Sequence, residues 1–224
     1  MKRVPTNELL DSDSGTAAEI AASLNDLKTI NTRFGGAATT EALIRQIVDQ
    51  TGQQSFTVLE VAAGAGDTPR MVKQHLQAQG IELEFTLLDR AASHLGNGNS
   101  GFARVAGDAL SLPFTDNSFD LVTCNLFTHH LSPDLVVGFA KEALRVCRKA
   151  LLINDLVRSP LHLALVYAGM PLYTSRITRH DAPASVRQSY TPDEMKAMLR
   201  KTPAVCVEID RHYLYRMGVI AWKT

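Results

Sequence analysis

The chain has 224 residues, 45% of them hydrophobic, enough to bury a full core and to form one domain with a small appendage. Lysine plus arginine number 23, as do aspartate plus glutamate, so the formal charge is zero and no basic field meets a phosphate backbone; nucleic acid is not an expected partner. Cys124, Cys147 and Cys206 match neither a disulfide framework nor paired zinc spacing, and no run of signal-peptide or membrane-spanning type appears, so the expectation is a soluble, cytoplasmic protein with no membrane insertion and no metal centre.

Ala17, Ile20, Ala21, Leu24, Leu27 and Ile30 recur at helical spacing, Gly35-Gly36 punctuates the chain, and a second helix is predicted over about 40–49. Residues 1–55 are thus read as a helical cap or lid ahead of a core spanning 56–224. From Phe56 the rhythm changes. Short β-rich runs at 57–61, 85–88, 121–125 and 151–154 alternate with helical segments, the pattern of βαβ units in a parallel sheet. Thr68 is the expected cap of one helix, with Pro69 in its first turn. Residues 96–101 read as a short polar loop. Ser132-Pro133 opens another helix, whose buried stripe is Leu135, Val136, Phe139, Ala140, Ala143, Leu144 and Cys147. More than thirty residues then separate the 151–154 strand from Thr191. This stretch, about 155–190, mixes apolar and charged residues and is read as a substrate-cap insertion. Thr191-Pro192-Asp193-Glu194 has capping-box spacing and starts a helix ending near Arg200. Runs at 205–209 and 213–222 follow, with Arg211-His212 predicted as the tight connection of an antiparallel hairpin.

Residues 58–66, Val-Leu-Glu-Val-Ala-Ala-Gly-Ala-Gly, run from a strand into a glycine turn, and Asp89 and Asp108 follow at the ends of further candidate strands. Small residues there admit a ligand close to the backbone, and acidic groups beside the turn can accept from ribose hydroxyls, so the pattern points to a nucleotide-like cofactor. Pro69 stands where a dinucleotide fingerprint has its third glycine, which disfavours NAD.

The segment 107–122, Gly-Asp-Ala-Leu-Ser-Leu-Pro-Phe-Thr-Asp-Asn-Ser-Phe-Asp-Leu-Val, closely resembles the adenine-side loop and fourth strand of class I S-adenosylmethionine-dependent methyltransferases. Together with His129-His130-Leu131 it is similar to the subgroup typified by ubiquinone and menaquinone biosynthetic methyltransferases. The likeness covers roughly residues 56–154 and, loosely, the terminal hairpin. It implies an α/β, Rossmann-like, doubly wound and mostly parallel seven-stranded sheet with an antiparallel C-terminal hairpin and a helical cap. It further implies S-adenosylmethionine as cofactor, with Glu60 as the acidic residue of the first motif, Gly64 and Gly66 beside the methionine part, Asp89 and its neighbour Arg90 at the ribose, Asp108 and Ala109 against the adenine, and Asn125 under the reacting methyl group. Ala62 stands where the family often has its first glycine. Arg33 is a further cofactor candidate, through a bidentate match to a carboxylate.

Methyl transfer from a sulfonium is an in-line displacement helped mainly by positioning, and an oxygen acceptor gains from a base. His129 and His130, after the fourth strand, are the base candidates, His129 slightly the better, and Asp155, at the end of the fifth strand near the site, is a further catalytic candidate. Arg158, His162, Arg179 and His180 are substrate-binding candidates in the insertion. The expected activity is methylation of a small, partly apolar acceptor, at a phenolic or enolic oxygen of a quinone precursor or polyketide-like aromatic. Carbon methylation, a macromolecular acceptor (RNA or protein), or cofactor binding without methyl transfer are the alternatives. The oligomeric state is not legible in the sequence.

Overall fold

The computed structural model describes residues 1–12, 14–95, 101–213 and 215–224; residues 96–100 of the polar loop read from the sequence lie outside the described residues. Two helices come first, α1 (Ala17–Arg33) and α2 (Gly36–Thr51), separated by Phe34 and by Gly35 in a left-handed conformation. Among the described residues seven strands follow: β1 (Ser55–Val61), β2 (Glu82–Asp89), β3 (Ala103–Ala106), β4 (Phe119–Asn125), β5 (Cys147–Leu156), β6 (Cys206–His212) and β7 (Arg216–Trp222). They form one sheet in the order β3-β2-β1-β4-β5-β7-β6, with β1 to β5 parallel and β7 antiparallel to both β5 and β6. The direction of winding reverses between β1 and β4, and in such sheets ligands bind beyond the carboxyl ends of the strands at that point.

Helices α3 (Asp67–Gln77) and α4 (Pro133–Val146) are crossovers, and α7 (Pro192–Leu199) precedes the final hairpin. The sheet is buried on both faces, so its strands read as nearly continuous apolar runs. Alternation sorts their residues. Leu59, Val61, Val122, Ile153 and Val219 pack with Phe139 and Leu144 of α4 and Met195 of α7. Val58, Leu121, Leu152 and Ile220 pack with Leu43, Ile44 and Ile47 of α2 and with Val72 and Leu76 of α3.

Local details depart from the sequence reading at several points. The N-cap of α3 is Gly66, two residues earlier than the expected Thr68, because Gly66 takes φ 75° without strain; Pro69 still falls among the first amides, which need no partner within the helix. Arg211 and His212 are not the hairpin connection: they stay in β6, paired with Met217 and Arg216, and the chain turns after them. Leu135 of the predicted α4 stripe is exposed, while Val136, Phe139, Ala140, Ala143 and Leu144 are buried as expected. The capping box of α7 is fully formed between Thr191 and Glu194.

The stretch between β5 and α7 folds into α5 (Pro160–Gly169) and α6 (Arg176–Gln188). Asp26 of α1 accepts from the Thr174 and Ser175 amides, both at 3.0 Å, just ahead of α6, which joins the two helices. Residues 1–12 are tied to the rest of the chain almost residue by residue. Arg3 donates to the Gln188, His129 and Leu131 carbonyls at 2.6, 2.9 and 3.0 Å, and the Asp181 carboxylate accepts from the Leu9 and Leu10 amides. Among the described residues no helix is long and apolar enough to cross a membrane.

Candidate active site

The two strand ends at the winding reversal are strained. Ala62, just past β1, and Leu126, just past β4, have φ of 56° and 51°, a left-handed region that costs a residue with a side chain about 1–2 kcal/mol. Such strain clusters where a backbone is shaped for function. Beyond Ala62, Gly64 also has positive φ, and no atom lies within 4 Å of where its Cβ would stand, so its outer face is open. The amide of Gly64 donates to the Asp89 carboxylate at 3.0 Å, and the Ala91 amide donates to the same group at 3.2 Å. Asp108 is exposed at the start of the next loop and accepts from the Leu110 amide at 2.9 Å, with Ala109 beside it. The glycine turn, Asp89 and α3, whose first amides open at Gly66, make a cradle that fits a nucleoside carrying a short charged chain.

Strand alternation places two polar sets at this end of the sheet. On the α2 face lie Glu60, Thr123, Asn125 and Asn154. Asn125 donates to Glu60 at 2.7 Å, Thr123 also donates to it, and Thr40 of α2 donates to the Asn125 side-chain oxygen at 2.7 Å. Asn154 donates to that oxygen at 2.7 Å and to the Gly36 carbonyl at 2.7 Å. Arg216, almost wholly buried, closes the set by donating to Asn154, Asn31 and the Phe34 carbonyl, so the α1–α2 junction is pinned over the ends of β5 and β7. Burial pushes the Glu60 carboxyl up to about 7 against the two hydrogen bonds it receives.

On the opposite face lies Asp155. It is buried, accepts from the Thr128 hydroxyl, the His129 amide and the Leu156 amide, and meets Nδ1 of His129 at 2.6 Å. The other ring nitrogen of His129, Nε2, faces the Glu8 carboxylate at 3.6 Å, and Glu8 is in turn held by the Ser185 hydroxyl at 2.6 Å and the Gln188 amide at 2.7 Å. Burial alone would lower the His129 pKa, but the charges and hydrogen bonds of Asp155 and Glu8 outweigh it and push the ring up to about 10. Burial works to raise Asp155, yet His129, Thr128 and the Leu156 amide hold it at about 2. The result is an imidazolium between two carboxylates. His130 pairs through Nδ1 with Asp11 at 2.8 Å. The Asp11 carboxyl is raised by burial and lowered by His130, His129 and Arg90, with a net downward shift. Among the described residues Glu8, His129 and His130 also bring three possible metal-ligating atoms within 4.8 Å, but the histidines are already paired with carboxylates.

The insertion residues expected to touch substrate have partners within the chain. Arg158 is buried and donates to the Met1 carbonyl, the Ser189 carbonyl and Glu194, bracing residues 1–12 against α7. His162 is buried, with Nδ1 2.9 Å from the Val157 carbonyl oxygen and its ring stacked on Tyr215. Arg179 donates twice to the Tyr173 carbonyl, and His180 meets Asp181 at 2.8 Å. Arg33 is exposed at the end of α1. Sequence reasoning missed Glu8, Thr40, Asn154 and Arg216. For Asn154 and Arg216 a signal existed, a polar side chain at the end of an otherwise apolar strand; Glu8 and Thr40 reach the site through long-range packing that no local pattern announces.

A family profile described as "Methyltransferase domain" matches residues 58–150. The chain is 33% identical over 97 residues to demethylmenaquinone methyltransferase of Thermotoga maritima, which covers 42% of this chain and 38% of that protein. It is 30% identical over 138 residues to the uncharacterized methyltransferase YcgJ of Bacillus subtilis, covering 59% of this chain and 51% of that one. It thus spans about half or less of the length of the curated relatives it matches. Among solved structures, the plantazolicin methyltransferase BpumL in complex with SAH superposes with TM-score 0.72 at 12% identity, covering 97% of this chain and 94% of that chain. The CMeT domain of the citrinin polyketide synthase superposes with TM-score 0.60 at 15% identity, covering 83% and 51%. At such identities the superpositions bear on the fold. Profile and sheet order agree: residues 58–150 match a methyltransferase domain, and the seven strands have the order of the class I S-adenosylmethionine-dependent methyltransferase fold.

Proposed function

We propose that the chain transfers a methyl group from S-adenosylmethionine to a phenolic or enolic oxygen of a small, partly apolar acceptor of the quinone-precursor or polyketide-like aromatic class, in the cytoplasm. The observation that carries this reading is the buried pair of His129, just past β4, and Asp155, near the end of β5. Asp89, Arg90, Asp108 and Ala109 are the residues assigned to the nucleoside side of the cofactor; Glu60, Ala62, Gly64, Gly66, Asn125 and Arg33 are assigned to its methionine side. When bound, the cofactor supplies an electrophilic methyl group on a sulfonium.

The chain's own residues then manage the acceptor and its proton. Asp155 fixes His129 with Nδ1–H directed at its carboxylate, which leaves Nε2 for the acceptor. A ring with a pKa near 10 is basic enough to share a proton with a phenol, whose ordinary pKa is about 10. The acceptor hydroxyl gives up its proton to solvent as its oxygen takes the place of Glu8 at Nε2; the imidazolium holds the oxyanion through Nε2–H until the oxygen is methylated, after which Glu8 pairs with Nε2–H again and the resting charges return. His130 is assigned to orienting this loop through Asp11.

Methyl-labelled S-adenosylmethionine offered with a panel of small phenols tests the reading. Label is expected on acceptor oxygen, and Asp155→Asn is expected to lower kcat by about 100-fold or more by freeing the wrong tautomer. Label on RNA or protein and none on any phenol would contradict it.

A further inference from the structure

Glu8 stands against the ring nitrogen of His129 that does not meet Asp155. Its Oε1 faces Nε2 of His129, its side chain is only 10% exposed, and Ser185 and Gln188 of α6 fix it there. Behind it lies a cavity of about 50 Å³, lined among others by Glu8, Ser185, Leu10, Leu27, Ile30 and Ala182. Leu10, Leu27, Ile30 and Ala182 give it an apolar side, and Ser23, Thr178, Asp181 and Ser185 line the rest together with the Glu8 carboxylate that faces the histidine. An apolar cavity of about 150 Å³ accommodates benzene, whereas one of this size does not. Residues 8–10 contribute both the carboxylate and part of the wall, and they are held by the Asp181 carboxylate and by α6 rather than by the sheet.

We propose that the space under residues 8–10 is the acceptor subsite, that its ligand is a small aromatic ring bearing one oxyanion, and that Glu8 is an internal stand-in for that oxyanion. The ring packs on Leu27, Ile30 and Ala182, and the charged oxygen takes the place of the Glu8 carboxylate at Nε2 as residues 8–10 move aside to enlarge the cavity. Exchange of one singly charged oxygen for another keeps the buried imidazolium paired, which an uncharged ligand would not do. This assignment rests on the proposed methyl transfer for its purpose, but not for its geometry.

The test uses p-nitrophenol and the full chain, because the phenolate absorbs where the neutral phenol does not. Binding is expected to raise phenolate absorbance at a pH below the pKa of the free phenol. Glu8→Ala is expected to bind p-nitrophenol about tenfold tighter, since no resident carboxylate competes. Ala182→Phe, which fills the cavity, is expected to abolish that binding while S-adenosylhomocysteine still binds by calorimetry. Equal affinity in the native chain and Glu8→Ala, or undiminished binding in folded Ala182→Phe, would overturn the subsite. Absence of S-adenosylhomocysteine binding would instead overturn the methyl-transfer reading and leave the nitrophenol result to decide the subsite alone.

Discussion

Ala62 holds a left-handed backbone at the end of β1 because the chain must turn sharply from the strand into the glycine loop, and its methyl group makes that conformation costly. Ala62→Gly is expected to raise stability by up to about 1 kcal/mol, the relief of strain being partly offset by the greater freedom of glycine in the unfolded chain; urea denaturation measures it. A loss of stability would mean that the Ala62 side chain packs more than it strains. Residue-scale features divided sharply in how visible they were. The glycine turn and the acid after β2 announce themselves by type and spacing, and the structure joins them through the Gly64 amide and Asp89. His129 and Asp155 are 26 positions apart; each was read as lying just beyond or at the end of an apolar strand, but their pairing was not, because it depends on how the β4 and β5 ends sit together in the sheet. Glu8 was not, because its contact depends on how residues 1–12 lie against α6.

At the scale of elements, one carboxylate from α1 organises the cap. Asp26 receives two amides and the Thr174 hydroxyl at the start of α6, and burial, which would raise its pKa, is outweighed by these bonds. Asp26→Ala leaves those amides without their acceptor and is expected to cost about 1–3 kcal/mol, with faster amide exchange concentrated at the start of α6. Uniform exchange across the molecule would contradict a local role. Elements whose ends carry their own chemistry, such as α7 with its capping box, were read closely from the sequence. Those whose ends depend on a neighbour were not: α2 begins at Gly36, four residues before its expected start, and its Gly36 carbonyl accepts from Asn154 across the sheet. The β6–β7 turn was misplaced for a similar reason, since pairing with β7 extends β6 through Arg211 and His212, beyond what local composition supports.

For the molecule as a whole, the doubly wound order follows from alternating strands and helices, and the parity of each strand then sends Glu60, Asn125 and Asn154 to one face and Asp155 to the other. The buried Glu60 ties this architecture to pH. Its folded pKa, near 7, exceeds its ordinary value of 4.5, so the native state favours the protonated carboxyl; that contribution is full below about pH 4.5 and is lost as pH rises through about 7. Glu60→Gln removes the titration, and its melting temperature relative to the native chain is expected to climb between about pH 5 and pH 8, by an amount equivalent to a few kcal/mol. A flat difference across that range would show that Glu60 does not ionise in this window.

The account depends most on the crevice at the ends of β1, β2 and β4. Calorimetric titration of the full chain with S-adenosylhomocysteine tests it most directly, in the native protein and in Asp89→Ala. One site per chain, weakened at least about tenfold when the ribose carboxylate is removed, is the predicted result. No binding to the folded native chain, or equal affinity in the two proteins, would contradict it.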